Sequence, residues 1–262
     1  MKVSLIQMDS REDIEANFSK AMNYLEKSLT DKPDIICLSE RFLYWGEDCL
    51  KNAENLNYDR IGAFREFAKE NKVNIILGSV ALKSEKNDKL TNTSFVINRK
   101  GEIVFRYDKI YMFNVEKKDI FVRESDSTNP GKELGFFSLE GIKIGLGICY
   151  DLRYPEYFQA LVKKGAEIIF LPSSFRKRTG KIAWNILTRA RAIENQVYFC
   201  ACNQTGESGV KERCGNSMII SYDGSIVKKI ESEEGIICED LDLESLREHR
   251  KEFPVLKQIR KF

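Results

Sequence analysis

The chain predicts an α/β fold, a four-layer α-β-β-α sandwich with two mainly parallel or mixed sheets and an internal pseudo-two-fold repeat. Three observations point there. Short apolar runs such as DIICLSE at 34–40 and AEIIFLPSS at 166–174 alternate with stretches of helical spacing, the pattern of parallel strands buried between amphipathic helices. The order of these segments occurs twice. Each copy ends in a similar hairpin, INRKGEIV at 97–104 and ISYDGSIV at 220–227. Two halves that each cover one sheet face with helices have one face left to bury, and packing those faces together is the economical solution.

The elements follow in order. Residues 3–8 form an apolar strand, and Ile14, Phe18, Ala21, Met22, Leu25 and Leu29 recur at helical spacing behind it. DIICLSE is the second strand, Ile61, Phe64, Phe67 and Ala68 mark the next helix, and VNIILGSVAL at 73–82 reads as a third strand. SFVINRKGEIVFRYDK at 94–109 reads as two strands turning at Arg-Lys-Gly. The second half repeats this with strand IKIGLGIC, a helix opening at Pro155, strand AEIIFLPSS and a helix whose apolar residues are Ile182, Ile186, Ala190 and Ile193. Strand QVYFCACN and hairpin SMIISYDGSIVKKI complete it, and the tail LDLESLREHRKEFPVL is expected against the body or a second copy.

With 262 residues, 42% apolar and 31% charged, the chain is long enough to build a core without metals or disulfides, and no linker-like stretch divides it. One domain over 1–262 is expected. The 42 basic and 40 acidic residues are dispersed, which argues against a nucleic-acid surface. The apolar start is too short for a signal peptide and no run reaches the roughly 18 residues of a spanning helix, so a cytoplasmic, membrane-free protein is expected. Seven cysteines in mostly apolar surroundings read as reduced and buried; with Cys200 and Cys202 two apart and one histidine in the chain, zinc-ligand spacing is absent. One basic cluster, Arg176, Lys177, Arg178 and Lys181, reads as a solvated loop or as a grip on an anionic substrate group.

Cys149 ends an apolar strand whose glycines at 145 and 147 permit close packing, at a strand-to-helix turn that lifts a side chain into the crevice beyond the strand ends. A thiol of pKa about 8.5 needs a base or a favourable charge beside it to act as a nucleophile. The single histidine, His249, lies among charged residues of the C-terminal tail and is a poor candidate for that base. Strand order selects two others, Glu40 at the end of DIICLSE and Lys109 after EIVFRYD. A carboxylate in a dry pocket moves protons, and a lysine held between carboxylates stays charged and neutralises an oxyanion. Each also has a plainer reading: Cys149 as a small buried residue, Glu40 as a helix cap, Lys109 as a surface charge.

The pieces LSE around Glu40, YDKIYMF around Lys109, FVRESD around Glu124, GLGICYDLRYPE around Cys149, LPSSF at 171–175 and RARAIENQVY at 189–198 together resemble the nitrilase, or carbon-nitrogen hydrolase, superfamily. The resemblance runs over nearly the whole chain. It implies a catalytic triad of Glu40, Lys109 and Cys149, with Glu124 placing lysine and substrate, and the Tyr150 N–H joining Lys109 around the oxyanion. It implies the sandwich, no metal or organic cofactor, a small-molecule amide substrate and homodimers joined through the helices flanking the nucleophile. Phe175, Arg176 and Tyr111 are the further substrate contacts expected. The segment RTGKIAWNILTRARAIENQVY is most similar to the omega-amidases and deaminated-glutathione amidases. Tyr111, Met112 and Phe113 stand where those enzymes usually show His-Leu-Phe, Ala183, Trp184 and Asn185 where they show His-Trp-Glu, and Ser39 where a proline precedes the catalytic glutamate. Cleavage of N-carbamoyl compounds or nitriles by the same triad, and a non-catalytic binding role for the scaffold, are the competing readings.

Overall fold

The computed structural model describes residues 1–46, 49–54, 58–84, 86–117, 120–206 and 212–260. Its first half runs β1 (Lys2–Gln7), α1 (Ile14–Ser28), β2 (Ile35–Cys37), α2 (Cys49–Glu54), α3 (Tyr58–Asn71), β3 (Asn74–Ile76), β4 (Val80–Lys83), β5 (Leu90–Ile97) and β6 (Ile103–Asp108). A small hairpin of β7 (Asn114–Lys117) and β8 (Ile120–Arg123) leads into α4 (Glu124–Ser127). The second half runs β9 (Phe136–Leu139), β10 (Ile142–Leu146), α5 (Pro155–Lys163), β11 (Ile168–Ser173), α6 (Lys177–Asn195), β12 (Tyr198–Asn203), β13 (Met218–Ile220) and β14 (Ile226–Lys229). It closes with β15 (Gly235–Asp240) and α7 (Leu243–Glu252).

The repeat is visible in the pairing. β1, β2 and β3 are parallel neighbours in one sheet, β10, β11 and β12 in the other, and each set continues into an antiparallel hairpin, β5–β6 and β13–β14. Antiparallel edge strands that the periodicity did not announce extend both sheets, β15 beside β1 and β9 beside β10.

Alternation along the strands of the first sheet separates the layers. Val3, Leu5, Ile35, Cys37 and Ile76 join the core shared with the second sheet, whereas Ile6, Ile36, Ile75 and Leu77 pack with Ala21, Leu25, Phe64 and Phe67 of α1 and α3. The sheets meet closely enough for the Cys202 thiol of β12 to donate to the carbonyls of Ile6 and Cys37 at 3.2 and 3.3 Å. Local signals start the helices: Asp13 accepts from the Ala16 N–H at 3.0 Å, Pro155 opens α5, and Asp242 caps α7.

Two expectations are corrected. VNIILGSVAL is two strands because the chain turns at Gly78, whose φ is +30° and where a Cβ would stand 1.9 Å from the Ser39 carbonyl oxygen. The Ile182, Ile186 and Ile193 stripe of α6 faces outward, at 76, 59 and 54% exposure, because the opposite face, with Trp184, Thr188, Arg191 and Ala192, is the buried one. No helix among the described residues is long and apolar enough to cross a membrane.

Candidate active site

Glu40 follows β2, Lys109 follows β6 and Cys149 lies three residues beyond β10, so three strand ends from two sheets converge. The backbone at Cys149 has φ 46° and at Arg41 φ 51°, left-handed values that non-glycine residues seldom adopt. Strain of this kind persists where surrounding contacts hold it, and at Cys149 it forms the sharp turn the sequence suggests. β10 stops at Leu146, so Cys149 opens a turn of 3-10 helix instead of ending the strand.

Lys109 is almost completely buried, and its Nζ lies 3.2 Å from Glu40 Oε1 and 2.9 Å from Glu124 Oε2. Burial alone would pull its pKa down; Glu124 and Glu40 outweigh that and hold the ammonium charged well above the ordinary lysine range. Glu124 opens α4 and also accepts from the Phe113 N–H at 2.7 Å, with Arg41 3.6 Å away. Burial raises its carboxyl, but Lys109, Arg41 and that N–H bring it below the ordinary value.

Glu40 is buried as well. Its Oε1 accepts from the Asn92 amide at 2.9 Å and its Oε2 from the Ser174 N–H at 2.9 Å. Burial and the neighbouring Glu40 push the Cys149 thiol well up, more than Lys109 and the Ser174 N–H pull it down. These surroundings favour the neutral thiol, with the Glu40 side chain beside it.

These groups share a cavity of about 220 Å³ whose lining includes Glu40, Lys109, Glu124, Cys149, Tyr150, Phe175 and Arg176. Phe113, Trp45 and Phe175 supply apolar wall, and Arg41 and Arg153 add positive charge. Arg176 sits at the N-cap position of α6 without a side-chain capping bond, stacks its guanidinium over the Phe113 ring at 5.5 Å and has no carboxylate partner among the described residues; burial lowers its pKa. Arg153 lies over the Tyr150 and Phe175 rings and donates to the Thr179 carbonyl at 3.2 Å. Lys177 of the basic cluster pairs with Glu212 at 3.1 Å, and the Lys181 side chain lies outside the described residues.

Tyr111 is placed beside the cavity rather than in its lining, its ring stacked on Tyr154 with centroids 3.6 Å apart. His249 packs on Tyr222 at 4.8 Å, within α7. The sequence reading overlooked Asn92, Arg41 and Ser174, which hold the carboxylates. Adjacency to Glu40 and membership of LPSSF marked the last two. Asn92, inside a strand, carried no signal. Among the described residues no group of histidine, cysteine and carboxylate side chains could hold a metal.

Fold and comparisons together define a class, the hydrolases acting on carbon-nitrogen bonds other than peptide bonds. The chain belongs to the carbon-nitrogen hydrolase family, whose model matches residues 2–251. It is 34% identical over 267 residues to a deaminated glutathione amidase of Dictyostelium discoideum, covering 97% of this chain and 92% of that protein. It is 32% identical over 271 residues to an omega-amidase of Saccharomyces cerevisiae, covering 99% and 93%. A solved structure from Saccharomyces cerevisiae, a member of branch 10 of the nitrilase superfamily, superposes with a TM-score of 0.90 at 28% identity, covering 100% of this chain and 97% of that one.

Proposed function

We propose that the protein hydrolyses the terminal amide of a small carboxylate-bearing molecule through a thioester on Cys149. The observation that carries this reading is the buried Lys109 held between two carboxylates beside a neutral thiol. Cys149 Sγ bonds to the amide carbon while its proton passes to Glu40. The oxyanion is met by the Lys109 ammonium and the Tyr150 N–H, which has no acceptor among the described residues. Collapse transfers the Glu40 proton to the leaving nitrogen and ammonia departs. Water then attacks the thioester, losing its proton to Glu40, and the acid leaves as the thiol is restored. Glu124 orients Lys109 throughout.

The substrate class rests on charge. Arg176 and Arg153 line the cavity without carboxylate partners among the described residues, and a substrate carboxylate supplies one. The named relatives, an omega-amidase and a deaminated glutathione amidase, support the same choice. A second copy of the chain is proposed to cover the outward Ile182, Ile186 and Ile193 of α6. Sedimentation of Ile186→Asp as a monomer beside a dimeric wild type supports that; a monomeric wild type removes it.

The test is ammonia release by the wild type and Cys149→Ala across acidic amides, neutral amides, N-carbamoyl amino acids and nitriles. Turnover of acidic amides that vanishes in the variant is expected. Equal release by the variant overturns the nucleophile, and turnover confined to carbamoyl compounds or nitriles overturns the substrate class.

A further inference from the structure

The mechanism needs the lysine of one sheet and the thiol of the other at a fixed separation. Lys109 follows β6 and Cys149 lies three residues beyond β10, and these two strands do not pair with each other. One buried side chain ties the two ends together. Asp151, fully inaccessible to solvent, accepts three hydrogen bonds: from the Ile148 N–H at 2.7 Å, from the Tyr111 N–H at 3.0 Å and from the Tyr107 hydroxyl at 2.7 Å. Ile148 immediately precedes the nucleophile. Tyr107 and Tyr111 lie two residues before and two residues after Lys109.

From this geometry we infer that Asp151 is the positioning residue of the site, its carboxylate clamping the Lys109 segment to the turn that carries Cys149. The inference rests on the proposed reading of those two residues as oxyanion cation and nucleophile. Asp151 does not line the cavity and has no access to substrate. Its oxygens are divided to suit a clamp. Oδ2 takes the nucleophile turn and the tyrosine hydroxyl, and Oδ1 takes the backbone beyond Lys109.

In the carboxylate form all three partners donate, and two of them are backbone N–H groups that cannot accept. An amide nitrogen at either oxygen position faces one of those N–H groups, donor against donor, and protonation exchanges charge-assisted bonds to the carboxylate for weaker bonds to a neutral acid. Burial lifts the Asp151 pKa to about 6, opposed by the N–H groups of Ile148 and Tyr111, the Tyr107 hydroxyl and the charge of Lys109. The other titratable groups against it are Tyr111 and Tyr157, whose pKa values burial raises; the Tyr157 hydroxyl donates to the Leu146 carbonyl and accepts from the Gly135 N–H at 3.1 Å. Acid therefore weakens the clamp near pH 6, and the reacting groups lose register. Misplacement on the order of 1 Å costs up to about 100-fold in rate.

The experiment compares wild type, Asp151→Asn, Tyr107→Phe and Cys149→Ala on an acidic amide from pH 5 to 9. Asp151→Asn is expected to lower kcat about 10- to 100-fold at pH 8 with KM within twofold, and to lose the acid limb of the profile. Tyr107→Phe removes one donor that favours the charged carboxylate, so its acid limb moves to higher pH. Asp151→Asn with wild-type kcat and an unmoved limb overturns the clamp. Should Asp151→Asn prove unfolded by circular dichroism, an unmoved limb in Tyr107→Phe overturns it. Cys149→Ala keeps the two readings apart: ammonia release that survives in it defeats the thioester reading, whereas its loss beside unaltered Asp151 and Tyr107 variants defeats the clamp alone.

Discussion

The Ser174 backbone N–H donates to Glu40 Oε2 at 2.9 Å, so a residue just beyond β11 of the second sheet orients a carboxylate just beyond β2 of the first. With Asn92 on the other oxygen, Glu40 is held from two sides while Cys149 and Lys109 approach it. The proposed role of Glu40 as proton acceptor makes a direct prediction. Glu40→Gln keeps the shape but cannot take the thiol proton, and kcat on an acidic amide should fall about 10²- to 10⁴-fold. Rapid-quench measurement of ammonia release checks this; a loss below fivefold would remove Glu40 as the base.

Lys109 carries a stability prediction as well as a chemical one. Replacing it by Met leaves Glu40 and Glu124 buried near each other without the cation, a change of the kind that costs about 3 to 5 kcal/mol. Glu124 has a folded pKa below its ordinary value, so the stability it contributes is present above pH 4.5 and is lost as pH falls. In Lys109→Met the Glu124 carboxyl gains a proton more easily, because Lys109 is among the groups that hold its pKa down. Denaturant titrations should thus show the gap between wild type and variant narrowing from pH 7 toward pH 4; a gap independent of pH would mean that packing, not charge, sets it.

Arg176 tests the substrate class. If it holds a substrate carboxylate, Arg176→Ala loses a charge-assisted hydrogen bond, and KM for acidic amides should rise about 10- to 100-fold with kcat little changed. Neutral amides of the same length provide the control. An Arg176→Ala enzyme with wild-type KM for every acidic amide would leave Arg153 or no arginine in that role.

Much of this site was legible in the sequence because strand ends are local signals. DIICLSE, EIVFRYDK and IKIGLGIC each announce an apolar strand running out into a reactive residue, and the duplicated order places those ends on two sheets that must face each other. What periodicity could not give was direction. Ile182, Ile186 and Ile193 share a face of α6, yet spacing alone does not say whether that face meets the sheet, and Trp184 with Thr188 does so instead. Gly78 broke a run that reads as continuous, because its close approach to Ser39 is a tertiary fact. Asn92 and Asp151 were invisible as partners for the same reason: each acts across about 40 or more residues of chain, on Glu40 at a separation of 52 and on Tyr107 at 44.

Asp151 shows how the site and the stability of the fold pull apart. Its folded pKa of about 6 lies above the ordinary 3.8, so the folded protein binds this proton more tightly than the unfolded chain does. The sign follows: the contribution of Asp151 is most favourable below about pH 4, declines as pH rises through 6 and is constant above that, where the buried charge costs roughly 3 kcal/mol. Asp151→Asn carries no charge at any of these pH values. The stability of the variant relative to wild type should therefore rise between pH 4 and 6 and level off, even though loss of the clamp is expected to make the variant the slower enzyme. Chemical denaturation of both proteins at pH 4, 5, 6 and 8 measures the difference. A difference that stays flat across that range would mean Asp151 titrates near its ordinary value, and the acid limb of the activity profile would then have to come from another group.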